Sequence, residues 1–189
     1  MSRLACLSIA PFIGAVVICV AAMGSQVCLK GVVARVCSGT IDQYVWQLQN
    51  SHDLEEKIQA ASCLSAMLQR PTVDEVRKLS GVLRGDSTAE VRCAVAGLFG
   101  VMAGLPHYRV NSRRTQPEVV DMLNALREAF VYESEASVRV CIVSAAGEFN
   151  SSEAVVIIDR AKGDINQEVR EAARVAERRR EQRLRDTGQ

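Results

Sequence analysis

The chain has 189 residues, 48% of them hydrophobic and 24% charged, and a formal net charge of +1. That is an ordinary globular composition, and so even a balance gives the chain as a whole no electrostatic case for binding nucleic acid or an anionic surface. Aromatic residues make up only 4%, which suits helices packed closely on helices and argues against an aromatic-lined ligand pocket.

The chain opens on an uncharged stretch from Leu4 to Met23. As a helix it would be about 30 Å long, the thickness of a bilayer core. Residues 1–24 therefore read as a signal peptide or a transmembrane anchor. The length favours an anchor; Pro11, Gly14 and the small-x-small step Ala22-Met23-Gly24 favour a cleaved signal. Either reading attaches the rest of the chain to a membrane or exports it, to the cell envelope or periplasm or into a secretory pathway. Residues 26–37 follow, with Leu29, Val32, Val33 and Val36 on one helical face. This spacing predicts a short amphipathic helix that caps the domain or lies at the membrane.

From Ile41 onward one pattern recurs. Asp53, Asp86, Glu133 and Asp164 each stand five residues before a β-branched residue: Ile58, Val91, Val138 and Val169. A long polar side chain follows at once, Gln59, Arg92, Arg139 or Arg170. Small residues come three positions after the β-branched one, at Ala61, Ala94, Cys141 and Ala172. Offsets of 0, 3, 4 and 7 make one helical face, and small residues there let another helix approach closely. An apolar helical pattern precedes each copy, with Thr40–Gln43, Thr72–Glu75 and Thr115–Glu118 as predicted capping boxes. Pro71 and Pro117 stand near helix starts, and Gly85 and Gly163 follow first helices, where a left-handed cap is expected. Self-similarity at this spacing predicts an all-α fold, a short α-solenoid of about four helix pairs over 41–180, in repeats of about 41–70, 71–103, 117–149 and 151–180.

The acid, the β-branched–Arg step and the Ala-rich second helix resemble the HEAT-repeat family, including the short HEAT-like units of phycobilisome lyases. The resemblance covers about three-quarters of the chain. It implies antiparallel helix pairs, of the armadillo-like helical kind, joined by polar ladders. In those ladders Asp53, Asp86, Arg92, Glu133, Arg139, Asp164 and Arg170 would take structural roles. Gln59 departs from the pattern, so the first rung should be weaker.

The spacing between the second and third copies is long, and the excess is an inserted loop, 104–116. It carries His107, Tyr108, Arg109, Arg113 and Arg114 and no acid, which makes it the candidate partner-binding loop. The end of the chain is rich in Arg but also in acids. It reads as a solvated helical extension with Glu181–Arg185 and Glu177–Arg180 pairs, and 181–189 as a charged tail.

Seven cysteines show neither a C-x-x-C nor zinc-ligand spacing. They read mostly as small buried hydrophobes, with Cys28 and Cys37 able to bridge if exported. No catalytic or metal-binding constellation is visible, and no cofactor is expected. His52, beside Asp53, reads as a turn residue rather than a base. The expected function is a non-enzymatic protein–protein interaction scaffold: a membrane-tethered or exported HEAT-repeat module whose second helices line a concave binding face. The resemblance also brings to mind a HEAT-like enzyme or bilin lyase-like accessory factor, and a nucleic-acid-binding HEAT protein that removes alkylated bases. The hydrophobic N-terminal segment and the balanced charge disfavour nucleic acid.

Overall fold

The structure is a computed structural model that describes residues 37–86, 88–105, 108 and 116–186. The expected leader or anchor over 1–24 lies outside the described residues, as does all of the expected 26–37 helix except Cys37. The chain divides into a unit of residues 1–38 and one of residues 39–189, and every described helix belongs to the second.

The described residues form eight α-helices and no strand: α1 (Ile41–Asn50), α2 (Leu54–Met67), α3 (Val73–Gly85), α4 (Ala89–Ala103), α5 (Pro117–Tyr132), α6 (Ala136–Ala146), α7 (Ser152–Lys162) and α8 (Gln167–Asp186). Their starts follow local chemistry. Thr40 and Thr72 form capping boxes with Gln43 and Glu75, so otherwise orphaned amides at the ends of α1 and α3 are bonded. Ser151 caps α7 through the Ala154 amide, and Asn166 accepts from the Glu168 amide at the start of α8. Helix α5 differs from expectation. Its N-cap is Gln116, with Pro117 in the first turn and no side-chain cap bond. Proline has no amide to satisfy and a φ already set for a helix, so the helix starts there; Thr115 lies outside the described residues. The expected left-handed glycine caps are also corrected. Gly85 is the last residue of α3, and Gly163 has φ −98°.

Consecutive helices pack as pairs, α1 on α2, α3 on α4, α5 on α6 and α7 on α8. The odd-numbered helices also pack on one another in chain order, and so do the even-numbered ones, α2 on α4, α4 on α6 and α6 on α8. Two layers result, with one apolar core between them. Three of the four β-branched residues of the repeated pattern, Val91, Val138 and Val169, are fully buried, as are Leu48, Leu79, Phe99, Met122 and Ile142, while Ile58 is partly buried. Each large apolar side chain so buried contributes about 1.5–3 kcal/mol.

The even-numbered layer is held close by missing side chains. A Cβ placed on Gly100 of α4 would lie 3.1 Å from the Ala145 Cα of α6, and one on Gly147 would lie 2.8 Å from the Ala176 Cβ of α8. Close approach also brings two cysteines together. Cys93 of α4 and Cys141 of α6 form a disulfide, with their Cα atoms 5.3 Å apart, a separation disulfides span without moving the backbone. Cys37 and Cys63 each take part in a disulfide as well. The reading of these cysteines as simple hydrophobes is therefore corrected, for a half-buried pair on facing helices is cross-linked.

The C-terminal segment is corrected too. Helix α8 runs to Asp186, and Arg183 reaches back to Glu148 (3.0 Å) and to the Gly147 carbonyl at the end of α6. A cation there answers the unpaired carbonyls of a helix C-terminus. Glu177 pairs with Lys162, and Glu171 with Arg174 and Arg178; the expected Glu181–Arg185 and Glu177–Arg180 pairs do not form.

Candidate functional site

The four acids of the repeated pattern occupy equivalent turns between the helices of each pair. In each, the carboxylate accepts the amide two residues on: Asp53 from Glu55 (2.8 Å), Asp86 from Thr88 (2.8 Å), Glu133 from Glu135 (2.9 Å) and Asp164 from Asn166 (2.8 Å). The side chain thus folds its own turn and remains open to a cation. The arginines supply that cation across the gap to the next pair. Arg92 donates to the Asp86 carbonyl of its own turn at 2.8 Å, and its Nε and Nη2 grip Glu133 at 2.7 and 2.8 Å. Arg139 does the same with the Glu133 carbonyl at 3.1 Å and with Asp164 at 2.8 and 3.0 Å. Two parallel bonds to a planar carboxylate are the strong, orientation-selective form of an ion pair.

Both pairs are mostly shielded; the side chains of Arg92 and Glu133 are 13% and 6% exposed. Burial pushes the Asp86 and Glu133 carboxyls up. Hydrogen bonds outweigh it, from Lys57 and Thr88 to Asp86 and from Arg92 and the Glu135 amide to Glu133, and both end below the usual carboxylate range. Asp164 is lowered chiefly by its bond from Arg139.

At the first rung sequence reasoning missed a residue. Gln59 turns to the Cys63 sulfur at 3.4 Å, and the cation is Lys57 of α2, which meets Asp86 directly. The rung is ionic, carried by the basic side chain just before the β-branched Ile58. Its presence there was the available signal.

Arg170 closes the series differently. It donates to the carbonyls of Asp164 and Ile165, both at 2.8 Å, and meets no carboxylate. Asp53, at the other end, is exposed and pairs with no base among the described residues.

Of the candidate loop residues, His107, Arg109, Arg113 and Arg114 lie outside the described residues. Tyr108 is half-buried, its amide bonded to the Leu105 carbonyl at 3.0 Å. Burial, with Glu118 and Glu75 nearby, pushes its phenol up to about 12.

Helices α2, α4 and α6 of the even-numbered layer expose several small or uncharged side chains, whereas α8 exposes Arg174, Arg178 and Arg179. Ser62, Ala66, Gly97, Val101 and Ser144 are exposed on the first three. Among the described residues no group of His, Cys, Asp and Glu could hold a metal ion, and no helix is long and apolar enough to cross a membrane. No protein-family model matches the chain, and neither a curated protein nor a solved structure shows significant similarity to it.

Proposed function

We propose that the chain is a short α-solenoid of HEAT-like helix pairs acting as a non-enzymatic protein-binding scaffold, tethered to a membrane or exported. The observation that carries the reading is the order of packing: each even-numbered helix lies against the next along the chain, and acid–base rungs cross between successive turns. Among the described residues, a stack of this kind leaves one broad face of second helices with no further layer over it, the surface such architectures use for binding. Ser62, Ser144 and Val101 on that face offer shape rather than charge. The arginines of the 104–116 loop add the positive charge that a partner with acidic groups would meet.

The Cys93–Cys141 disulfide supports an oxidising compartment, since such bonds persist outside the cytosol and are rare within it. It fits the leader or anchor read from residues 1–24. Membrane fractionation with an intact mass of the mature chain separates the two: a soluble chain lacking 24 residues excludes the anchor.

Crosslinking and mass spectrometry in the native cell test the scaffold itself. The expected result is a defined protein partner crosslinked to α2, α4 or α6. Ser62→Arg and Ser144→Arg should abolish its capture, and replacing Arg109, Arg113 and Arg114 by Ser should weaken it. Undiminished binding by the first two variants would remove the second-helix face as the site; undiminished binding by the third would remove the loop.

A further inference from the structure

The ladder has two unmatched ends of opposite charge. Arg92 and Arg139 each hold the carbonyl of their own turn with Nη1 and grip the next turn's carboxylate with Nε and Nη2. Arg170 makes the same carbonyl contact, which leaves its Nε–Nη2 edge without a carboxylate. Asp53 shapes its own turn as the other three acids do, yet among the described residues it meets no cation. The chain thus exposes a carboxylate receptor at one end and the matching carboxylate at the other.

Trp46 stands six residues after the cap of α1. The same position holds Lys78 in α3, Met122 in α5 and Ile157 in α7. Lys78 lies toward the preceding helix, within 3.8 Å of Asp42, and Met122 and Ile157 are buried. Trp46 is 62% exposed. At the opposite end α7 and α8 frame a shallow depression with enclosed room of only about 20 Å³, lined by Val155, Ile158, Asp159, Glu177 and Arg180. The Arg180 Nε is buried there without an acceptor. Ile165, next to Asp164, is 93% exposed beside the Arg170 edge.

We propose that a second copy of this chain stacks head to tail on the α7–α8 end, its Asp53 carboxylate gripped by Arg170 and its Trp46 set over the Val155–Ile158 depression. The junction repeats the packing already present within one chain. Charge complementarity selects this occupant: Asp53 is followed by the exposed Glu55 and Glu56 at the start of α2, while the Nε–Nη2 edge of Arg170 on α8 faces no carboxylate among the described residues. The contact is heterologous, so it propagates as an open series rather than closing as a two-fold dimer. The proposal concerns the ends of the stack, not its second-helix face, and stands or falls separately from partner binding there.

Sedimentation of the full chain in mild detergent, with disulfides intact, tests it. Dimers, trimers and longer species should appear with concentration and recede as salt screens the ends. Arg170→Asp should weaken self-association at least about tenfold, since it sets like charges together at the junction. Asp53→Asn, which keeps a helix-capping side chain, should weaken it too, and Trp46→Ser likewise, each with an unchanged circular dichroism melt. A chain carrying both Asp53→Arg and Arg170→Asp should associate again. A monomer at every concentration overturns the proposal. So does a dimer without larger species, or association that Arg170→Asp leaves intact, which would assign it to another surface.

Discussion

Removing the Arg92 side chain would leave Glu133 charged and facing protein instead of water. A shielded carboxylate stripped of its partner costs far more than an exposed one, because nothing replaces the lost solvation. Arg92→Ala is therefore expected to cost about 2–3 kcal/mol in urea unfolding, the near-surface position lowering the usual figure for buried pairs. Arg84→Ala breaks an equally short pair with Glu128, but both side chains are about half exposed, so the change should stay within about 0.5 kcal/mol. Equal losses would mean that shielding does not set the value of these rungs. The same carboxylates set an acid limit. Asp86, Glu133 and Asp164 have folded-state pKa values below their ordinary ones. Their contribution is complete above the ordinary carboxylate range and is lost as pH falls through the lowered values. Melting temperature should hold steady near neutrality and drop below that range, less steeply in Glu133→Gln. At this scale the acids and arginines were legible because they recur at fixed offsets. Lys57 was not, since it sits two positions out of register, before the β-branched residue rather than after it.

Glycines within helices sort by what stands opposite them. Gly97 in α4 has open space where a Cβ would go, whereas Gly147 at the end of α6 has Ala176 of α8 within 2.8 Å. Gly97→Ala should stabilise by about 0.5–1 kcal/mol through backbone entropy alone. Gly147→Ala should destabilise by about 1–3 kcal/mol, since α6 and α8 must separate to admit the methyl group. Thermal melts of the two variants should shift in opposite directions; a shared direction would show that the α6–α8 approach is not tight. Nothing local in the sequence tells the two glycines apart, because the difference lies in a helix distant along the chain. Capping was more legible. Thr40 and Thr72 act through residues three positions away, so their partners are visible locally, while α5 begins at Pro117 because proline conformation overrides a nearby Thr–Glu pair.

Across the whole molecule, the pairing of helices and their order of packing follow from the repeated apolar face, which no single pair can bury alone. What the repeat does not predict is how the second pair is joined to the third. Their second helices approach closely, yet the connection between them carries the extra 104–116 segment, and a long connection does little to limit how far an unfolded chain spreads. The Cys93–Cys141 bond closes that segment into a loop with a sequence separation of 48. The two cysteines stand one step apart in repeat register, two and three residues after Val91 and Val138, a near-equivalence that was the available signal. On chain entropy alone, closing such a loop is worth about 4 kcal/mol, and measured values often fall lower. Replacing both cysteines by Ala should therefore cost about 2–4 kcal/mol, with α-helical circular dichroism retained at neutral pH. The unmodified chain under a reducing agent should approach the stability of that double variant, while the double variant itself responds less to the same treatment. If the double variant matches the unmodified chain in urea, close packing of Gly100 on Ala145 is enough to join the two halves, and the bond is a consequence of that approach rather than a support for it.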